Sequence, residues 1–264
     1  KRLLIRQPDD FALPDPGLLI DSTSEPTDLW IPVQTRRGCP MGCSYCSTGK
    51  IEGTITRKRS PKKVVEWMAK LQSRGLRQFY FVDNTFNLPP SYAVSLCSQL
   101  TESGLPITWR SLFYPTKVEV SLIKAMAKAG CREVSLGFES GCDDILKEMN
   151  KRFLSKDVRE AAGMLSDHGI HTMGFLLLGG PGETRGTVEE TLAFVSDLNL
   201  DALKITIGIR IYPHTKLARL AIQDGLIAPE DDLLFPKFYM VKGLEDWLRE
   251  TVTERMKEHR NWMM

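Results

Sequence analysis

Arg37-Gly38-Cys39-Pro40-Met41-Gly42-Cys43-Ser44-Tyr45-Cys46 follows directly on a short apolar run, Trp30 to Thr35. The run has the length and composition of a buried strand, so the three cysteines fall in the loop at its C-terminal end. Their spacing, Cys-x3-Cys-x2-Cys, offers three thiolates to one centre. Gly38, Pro40 and Gly42 favour a backbone that turns around a compact object, and loop amides can donate to negatively charged sulfur. A closed structural cluster or zinc site ordinarily takes four ligands, and the local count stops at three. An iron–sulfur cluster held this way keeps one iron without a protein ligand, an open position where chemistry can occur. Two plainer readings stand beside it: a zinc site completed by His168, His171 or His214, and a set of buried thiols. Zinc motifs usually come as spaced pairs, and buried thiols have no reason to gather in a glycine-rich loop.

Outward from this loop, short apolar runs alternate with segments of helical period. Strands are expected at Trp30–Thr35, Gln78–Val82, Ile107–Ser111, Glu133–Phe138, Thr172–Leu178 and Ala202–Ile207. Helices are expected at Ser60–Arg74, Ser91–Ser103, Ser121–Ala129, Ser155–His168, Thr187–Leu198 and His214–Asp224. Ser60-Pro61 supplies a cap and a first-turn proline, and Gly75, Gly104, Gly130 and Gly169 stand as terminators. The pattern predicts an α/β fold, a partial (β/α)6 TIM-like barrel with its active site at the strands' C-terminal ends; a doubly wound sheet is the alternative. The expected division is an N-terminal linker or arm over residues 1–29, the barrel over 30–225, and a C-terminal extension over 226–264 with a charged helix from Leu244 to Met264.

The 264 residues are 42% hydrophobic and 26% charged, proportions of a globular protein with a sizeable core. Lys+Arg 35 against Asp+Glu 33 gives a formal charge of +2 and no strong nucleic-acid signal. Neither a membrane span nor a signal peptide is evident, and the six cysteines are not spaced as a secreted disulfide framework. A reducing, cytoplasmic location is expected, with Cys97, Cys131 and Cys142 as ordinary buried thiols. The chain opens on Lys1, which leaves room for a preceding part.

The loop Cys39-x3-Cys43-x-Tyr45-Cys46 resembles the signature of the radical S-adenosylmethionine (SAM) superfamily, including the aromatic residue before the third cysteine. The resemblance extends from Trp30 to Phe238. It implies that Cys39, Cys43 and Cys46 bind a 4Fe-4S cluster, that the open iron chelates SAM, and that one-electron cleavage releases a 5′-deoxyadenosyl radical. It also directs attention to strand ends. Asp83 and Asn84 stand where the family contacts the methionyl amino group, although the usual Gly-Gly-Glu wording is absent. Glu139 and Ser140 match the ribose-contacting position, and a carboxylate is suited to accept from ribose hydroxyls. Gly179, Gly180 and Glu183 resemble the fifth-strand motif near adenine, with Thr184 or Thr187 free to cap the next helix. A P-loop reading of that stretch is weak because no Gly-Lys-Ser/Thr ending follows. Tyr45 and Arg210 complete the implied adenine surroundings, and Arg110 is placed either at SAM's carboxylate or in an ion pair.

Finer likeness, in Phe11–Leu19, Asp83-x2-Phe86, Gly179–Thr184 and Tyr212–Ala218, points to the class that usually carries an N-terminal cobalamin-binding domain. Its members include methyltransferases and some ring-forming or oxygen-inserting enzymes. No Asp-x-His-x2-Gly motif occurs, so the chain is expected to be the catalytic part of a longer protein or a member working without cobalamin. Radical methyl transfer is the leading reading; methylthiolation, another radical oxidoreduction, and a non-catalytic electron-transfer or zinc protein are the alternatives. An electron donor such as a flavodoxin or ferredoxin and a small-molecule or peptide substrate are the implied partners.

Overall fold

The computed structural model describes Leu4, residues 6–15 and residues 29–264. The part of the expected linker that spans 16–28 lies outside these residues. What is described of the arm makes one 3-10 turn, Pro8–Asp10, and lies along the second helix of the barrel. There the Asp9 carboxylate accepts from the Ser60 amide, and the Trp67 indole donates to the Pro14 carbonyl at 2.8 Å.

The first apolar run forms β1 (Trp30–Val33), and a two-residue strand, β2 (Arg36–Arg37), leads into the cysteine loop. One turn of helix, α1 (Thr48–Ile51), follows the loop, and β3 (Arg57–Lys58) returns antiparallel to β2. The repeat then continues through α2 (Pro61–Gln72), β4 (Gln78–Phe81), α3 (Pro90–Ser103), β5 (Thr108–Phe113), α4 (Val120–Lys128) and β6 (Cys131–Glu139). Next come α5 (Asp143–Glu148), α6 (Ser155–Asp167), β7 (His171–Leu178), α7 (Arg185–Ser196) and β8 (Ala202–Ile207). The chain ends through β9 (Ile209–Arg210), α8 (Lys216–Gln223), β10 (Phe238–Tyr239), α9 (Glu245–Glu258) and β11 (Trp262–Met263).

The main sheet is parallel throughout, in the order β1-β4-β5-β6-β7-β8-β11, and its two ends do not join. This is the open barrel expected from the alternation, with one more strand. The expected helix Leu244–Met264 stops at Glu258, and Trp262–Met263 pairs with Leu203–Lys204 as a seventh strand. Trp262 is buried and stacks on His259 at 4.1 Å, while the Asn261 amide donates to the Leu200 carbonyl. Two residues are too few to show a period, so the sequence could not announce them.

Alternation along the strands sends one set of side chains under the helices and the other toward the mouth. Phe81, Phe86 and Trp109 meet with ring centroids 4.8–5.1 Å apart, at the centre of a continuous apolar core. Burial of such side chains stabilises by roughly 1.5–3 kcal/mol each. On β6 the other set is Ser135, Gly137 and Glu139, which face a cavity at the strands' C-terminal ends. Among the described residues no helix is long and apolar enough to cross a membrane.

Candidate iron–sulfur and nucleoside site

The cysteine loop takes its shape from two left-handed glycines. Gly38 sits at φ +92°, and a Cβ there would stand 2.3 Å from the Ile55 carbonyl oxygen; Gly42 sits at φ +72°. The loop is tied down at both sides. Cys39 donates its amide to the Gly53 carbonyl, Ser44 donates to Met149, and Ser44's own carbonyl accepts from Leu217. Asn150 and Arg152 donate to the Gly42 and Pro40 carbonyls, each at 2.7 Å. Beneath the loop, Glu52 accepts from the Gly38 amide at 3.0 Å and from Asn84 at 3.1 Å.

Cys39, Cys43 and Cys46 are half-buried free thiols that line a cavity of about 200 Å³ together with Tyr45, Asn84 and Glu139. A second cavity, about 480 Å³, lies against the same cysteines on another side and reaches His214 and Lys216. Burial pushes the Cys39 and Cys43 thiols up. The Met41 amide opposes this at Cys39, the Lys151 charge opposes it at Cys43, and neighbouring thiols add to it. A cationic centre among the three is what would hold them as thiolates. Among the described residues no three His, Cys, Asp or Glu side chains are grouped closely enough to hold a single metal ion. Three cysteine sulfurs on one loop are the donors that a 4Fe-4S cluster takes, one to each of three irons.

Opposite the thiols is a group that only the fold assembles. Glu139, at φ +72°, accepts through Oε1 from the Tyr45 hydroxyl at 3.0 Å and from Lys151 Nζ at 3.2 Å. Lys151 also donates to the Tyr45 oxygen at 3.0 Å and to the Gly137 carbonyl, and its ammonium lies near the Tyr45, Tyr114 and Phe153 rings. Its side chain is 3% exposed against 13% for Glu139. Burial holds the Tyr45 phenol well above its ordinary value, with the Glu139 charge adding, so it remains a donor.

Residues 33–195 match the family described as the radical SAM superfamily. The chain belongs to the radical SAM superfamily. Enzymes of this superfamily use a 4Fe-4S cluster and SAM, and the cysteine loop lies within the matched stretch. As a radical SAM chain it is 28% identical over 259 residues to an uncharacterised methyltransferase of Pyrococcus horikoshii, covering 97% of this chain and 56% of that protein. It is 31% identical over 172 residues to the bacteriochlorophyllide d C-12(1)-methyltransferase of Chlorobaculum tepidum, covering 62% of this chain and 37% of that one. Its fold matches the radical SAM methyltransferase TsrM of Kitasatospora setae, solved with cobalamin and a [4Fe-4S] cluster bound. That match has a TM-score of 0.78 at 20% identity over 89% of this chain and 53% of that chain. The chain thus spans between about a third and just over half the length of these relatives.

Several residues that the family resemblance assigned to cofactor also have contacts within the fold. Asp83 is fully buried, its carboxylate accepting from the Thr35 amide and hydroxyl and from the Arg36 amide, with the Arg36 guanidinium 3.3 Å away. Burial pushes the Asp83 carboxyl up and the Arg36 guanidinium down, against their mutual attraction. Ser140, also fully buried, bonds Thr191 and accepts from the Cys142 amide. Glu183 is buried and accepts from the Gly179 and Gly180 amides, closing its own turn; Oε1 has no partner, and burial raises its pKa to about 7. Gly179, at φ +92°, passes beneath Met240, where a Cβ would stand 2.5 Å from the sulfur, and Gly180 passes beneath Ile209. Arg210 is exposed on β9, which pairs antiparallel with β10, and its guanidinium lies over Tyr212. Arg110 stacks on Trp30 and Tyr80 and lies 3.9 Å from Glu133, the ion-pair alternative. Thr184 caps α7 through the Thr187 amide. Nothing local marks Lys151 or Glu52, because a lysine after a short helix and a glutamate after another read as solvated surface.

Proposed function

We propose that this chain is the catalytic part of a radical SAM methyltransferase. The observation that carries the reading is the meeting of the three thiols with the Tyr45–Glu139–Lys151 group in one cavity at the strands' C-terminal ends. Cys39, Cys43 and Cys46 hold the cluster through their three thiolates. Glu139 is offered to ribose hydroxyls, its carboxylate oriented by Lys151 and Tyr45. Asn84, braced by Glu52, presents its amide to the methionyl end, and the Gly179–Gly180 backbone is assigned to the adenine wall. Asp83, Ser140 and Glu183 support these positions without touching the cofactor. When bound, the cluster and SAM supply one-electron cleavage of the sulfonium. The chain's own task is then to orient the nucleoside and keep water from the cavity.

Methyl transfer is inferred from the named relatives. Cobalamin, with which TsrM was solved, would come from a part of the protein outside this chain. A cytoplasmic electron donor of the flavodoxin or ferredoxin kind and a small-molecule or peptide acceptor complete the proposal. The test is anaerobic reconstitution with iron and sulfide, then reduction with dithionite in the presence of SAM. 5′-Deoxyadenosine should form, and Cys39→Ala, Cys43→Ala and Cys46→Ala should each lose the cluster's visible absorption. An intact cluster that leaves SAM uncleaved would overturn the assignment.

A further inference from the structure

Away from the thiols, a cavity of about 420 Å³ opens between the N-terminal arm, the edge strand β1 and the β2–β3 pair. Arg37, Arg57 and Arg59 line it on one side, and Phe11, Leu13 and Pro14 on the other. Arg37 donates Nε to Gln34 at 2.8 Å and Arg59 donates to the Phe11 carbonyl at 2.7 Å. Neither enters an ion pair among the described residues. Each guanidinium carries five N–H donors in a planar fork suited to carboxylate or phosphate, so most of that capacity is unused by Arg37 and Arg59.

We propose that this cavity is a binding site for a small amphipathic anion, a phosphate or carboxylate carried on an apolar body, with Arg37, Arg57 and Arg59 taking the anion and Phe11 and Leu13 the body. The like charges of Arg37 and Arg59 at one cavity repel, and an anion between them removes that cost. Burial lowers the Arg59 pKa; the Asp9 carboxylate opposes this, and the Arg37 charge adds to it. The apolar wall is unusual in being half-open: Phe11 is 50% exposed on a chain segment that otherwise packs on α2. An apolar ligand surface would cover it. The site is joined to the thiol cavity through side chains. Arg37 bonds Gln34, Gln34 donates to Glu52 at 3.2 Å, and Glu52 accepts from Asn84, which lines the thiol cavity.

The proposal does not depend on the cofactor assignment, and its test reads binding alone. Isothermal titration of the cluster-loaded protein, under anaerobic conditions, compares hexyl phosphate, hexanoate, hexanol and inorganic phosphate. The two amphipathic anions should bind at least about tenfold more tightly than either hexanol or inorganic phosphate, the gain expected from adding one charge-assisted contact to the apolar one. Affinity should fall with added salt. Arg37→Gln, at an exposed position, should weaken hexyl phosphate by roughly tenfold, and Arg37→Gln/Arg59→Gln more; Phe11→Ala should weaken it while leaving inorganic phosphate unchanged. Circular dichroism melts of the same samples verify folding, and Arg37→Gln alone suffices if the double variant does not fold. Hexyl phosphate binding no tighter than hexanol, or binding undiminished in Arg37→Gln, would overturn the assignment. SAM cleavage, assayed separately, reports on the cofactor reading whatever the titration gives.

Discussion

Replacing Lys151 by methionine keeps the length and volume of the side chain and deletes only the ammonium. In the native protein that ammonium is 3% exposed and lies 3.2 Å from Glu139 Oε1, with further bonds to the Tyr45 oxygen and the Gly137 carbonyl. At this separation an effective dielectric of about 20 gives a gross attraction of about 5 kcal/mol. Desolvation of both ions cancels much of it, so the pair itself adds little; removing one partner is different, because it strands the other. Glu139 would keep one bond, from Tyr45, and a carboxylate that is 13% exposed. Loss of a fully buried partner costs about 3–5 kcal/mol, and the residual exposure of Glu139 places Lys151→Met at about 2–4 kcal/mol. Glu139→Gln strands the ammonium in turn. The double variant, which leaves neither charge, should be less destabilised than the two single losses combined, with a coupling of about 1–3 kcal/mol. Urea unfolding of the four proteins, anaerobic and without cluster, measures the cycle. Additivity within about 0.5 kcal/mol would refute the claim that the two charges act as one buried unit.

Removing the Lys151 charge also takes away what opposes the burial-driven rise of the Cys43 thiol, so alkylation of Cys43 at fixed pH should slow in Lys151→Met, as mass spectrometry of iodoacetamide-labelled peptides will show. Gly38→Ala forces a methyl group against the Ile55 carbonyl at φ +92°; beyond a conformational cost of about 1–2 kcal/mol, it should lower iron bound per chain, whereas full iron content would remove Gly38 from the account of the loop. Asp83→Asn should lower the urea midpoint by the equivalent of about 3–5 kcal/mol through the stranded Arg36, while folded protein still takes up iron and SAM; an unchanged midpoint with lost SAM binding would return Asp83 to the cofactor. Glu183 titrates near 7 in the folded protein against an ordinary 4.5, so its contribution to stability is full below about 4.5 and is lost as the pH rises to about 7. Over that window wild type should lose up to about 3 kcal/mol relative to Glu183→Gln, which keeps an acceptor for Gly179 and Gly180; parallel stability curves would contradict the assignment.

The sequence by itself determined the repeating strand-and-helix order and the three-cysteine loop. Both are local: buried parallel strands read as short apolar runs, helices declare themselves by period and by caps such as Ser60 and Thr184, and the glycines at 38 and 42 stand beside the cysteines they shape. It also determined that Glu139 would stand at a strand end. Only the tertiary structure decided what the polar residues at those ends do. Asp83, Ser140 and Glu183 look alike in sequence as polar groups after strands, and each bonds buried neighbours: Asp83 and Ser140 through a full set of partners, Glu183 through one oxygen, with Oε1 left unpaired. Lys151 went unread for the opposite reason. A lysine is ordinarily solvated, and its role arises only where folding buries it against Tyr45, 106 residues earlier in the chain, and against Glu139. The seventh strand belongs with these, since two residues carry no period and β11 exists only because the edge of β8 is there to pair with it.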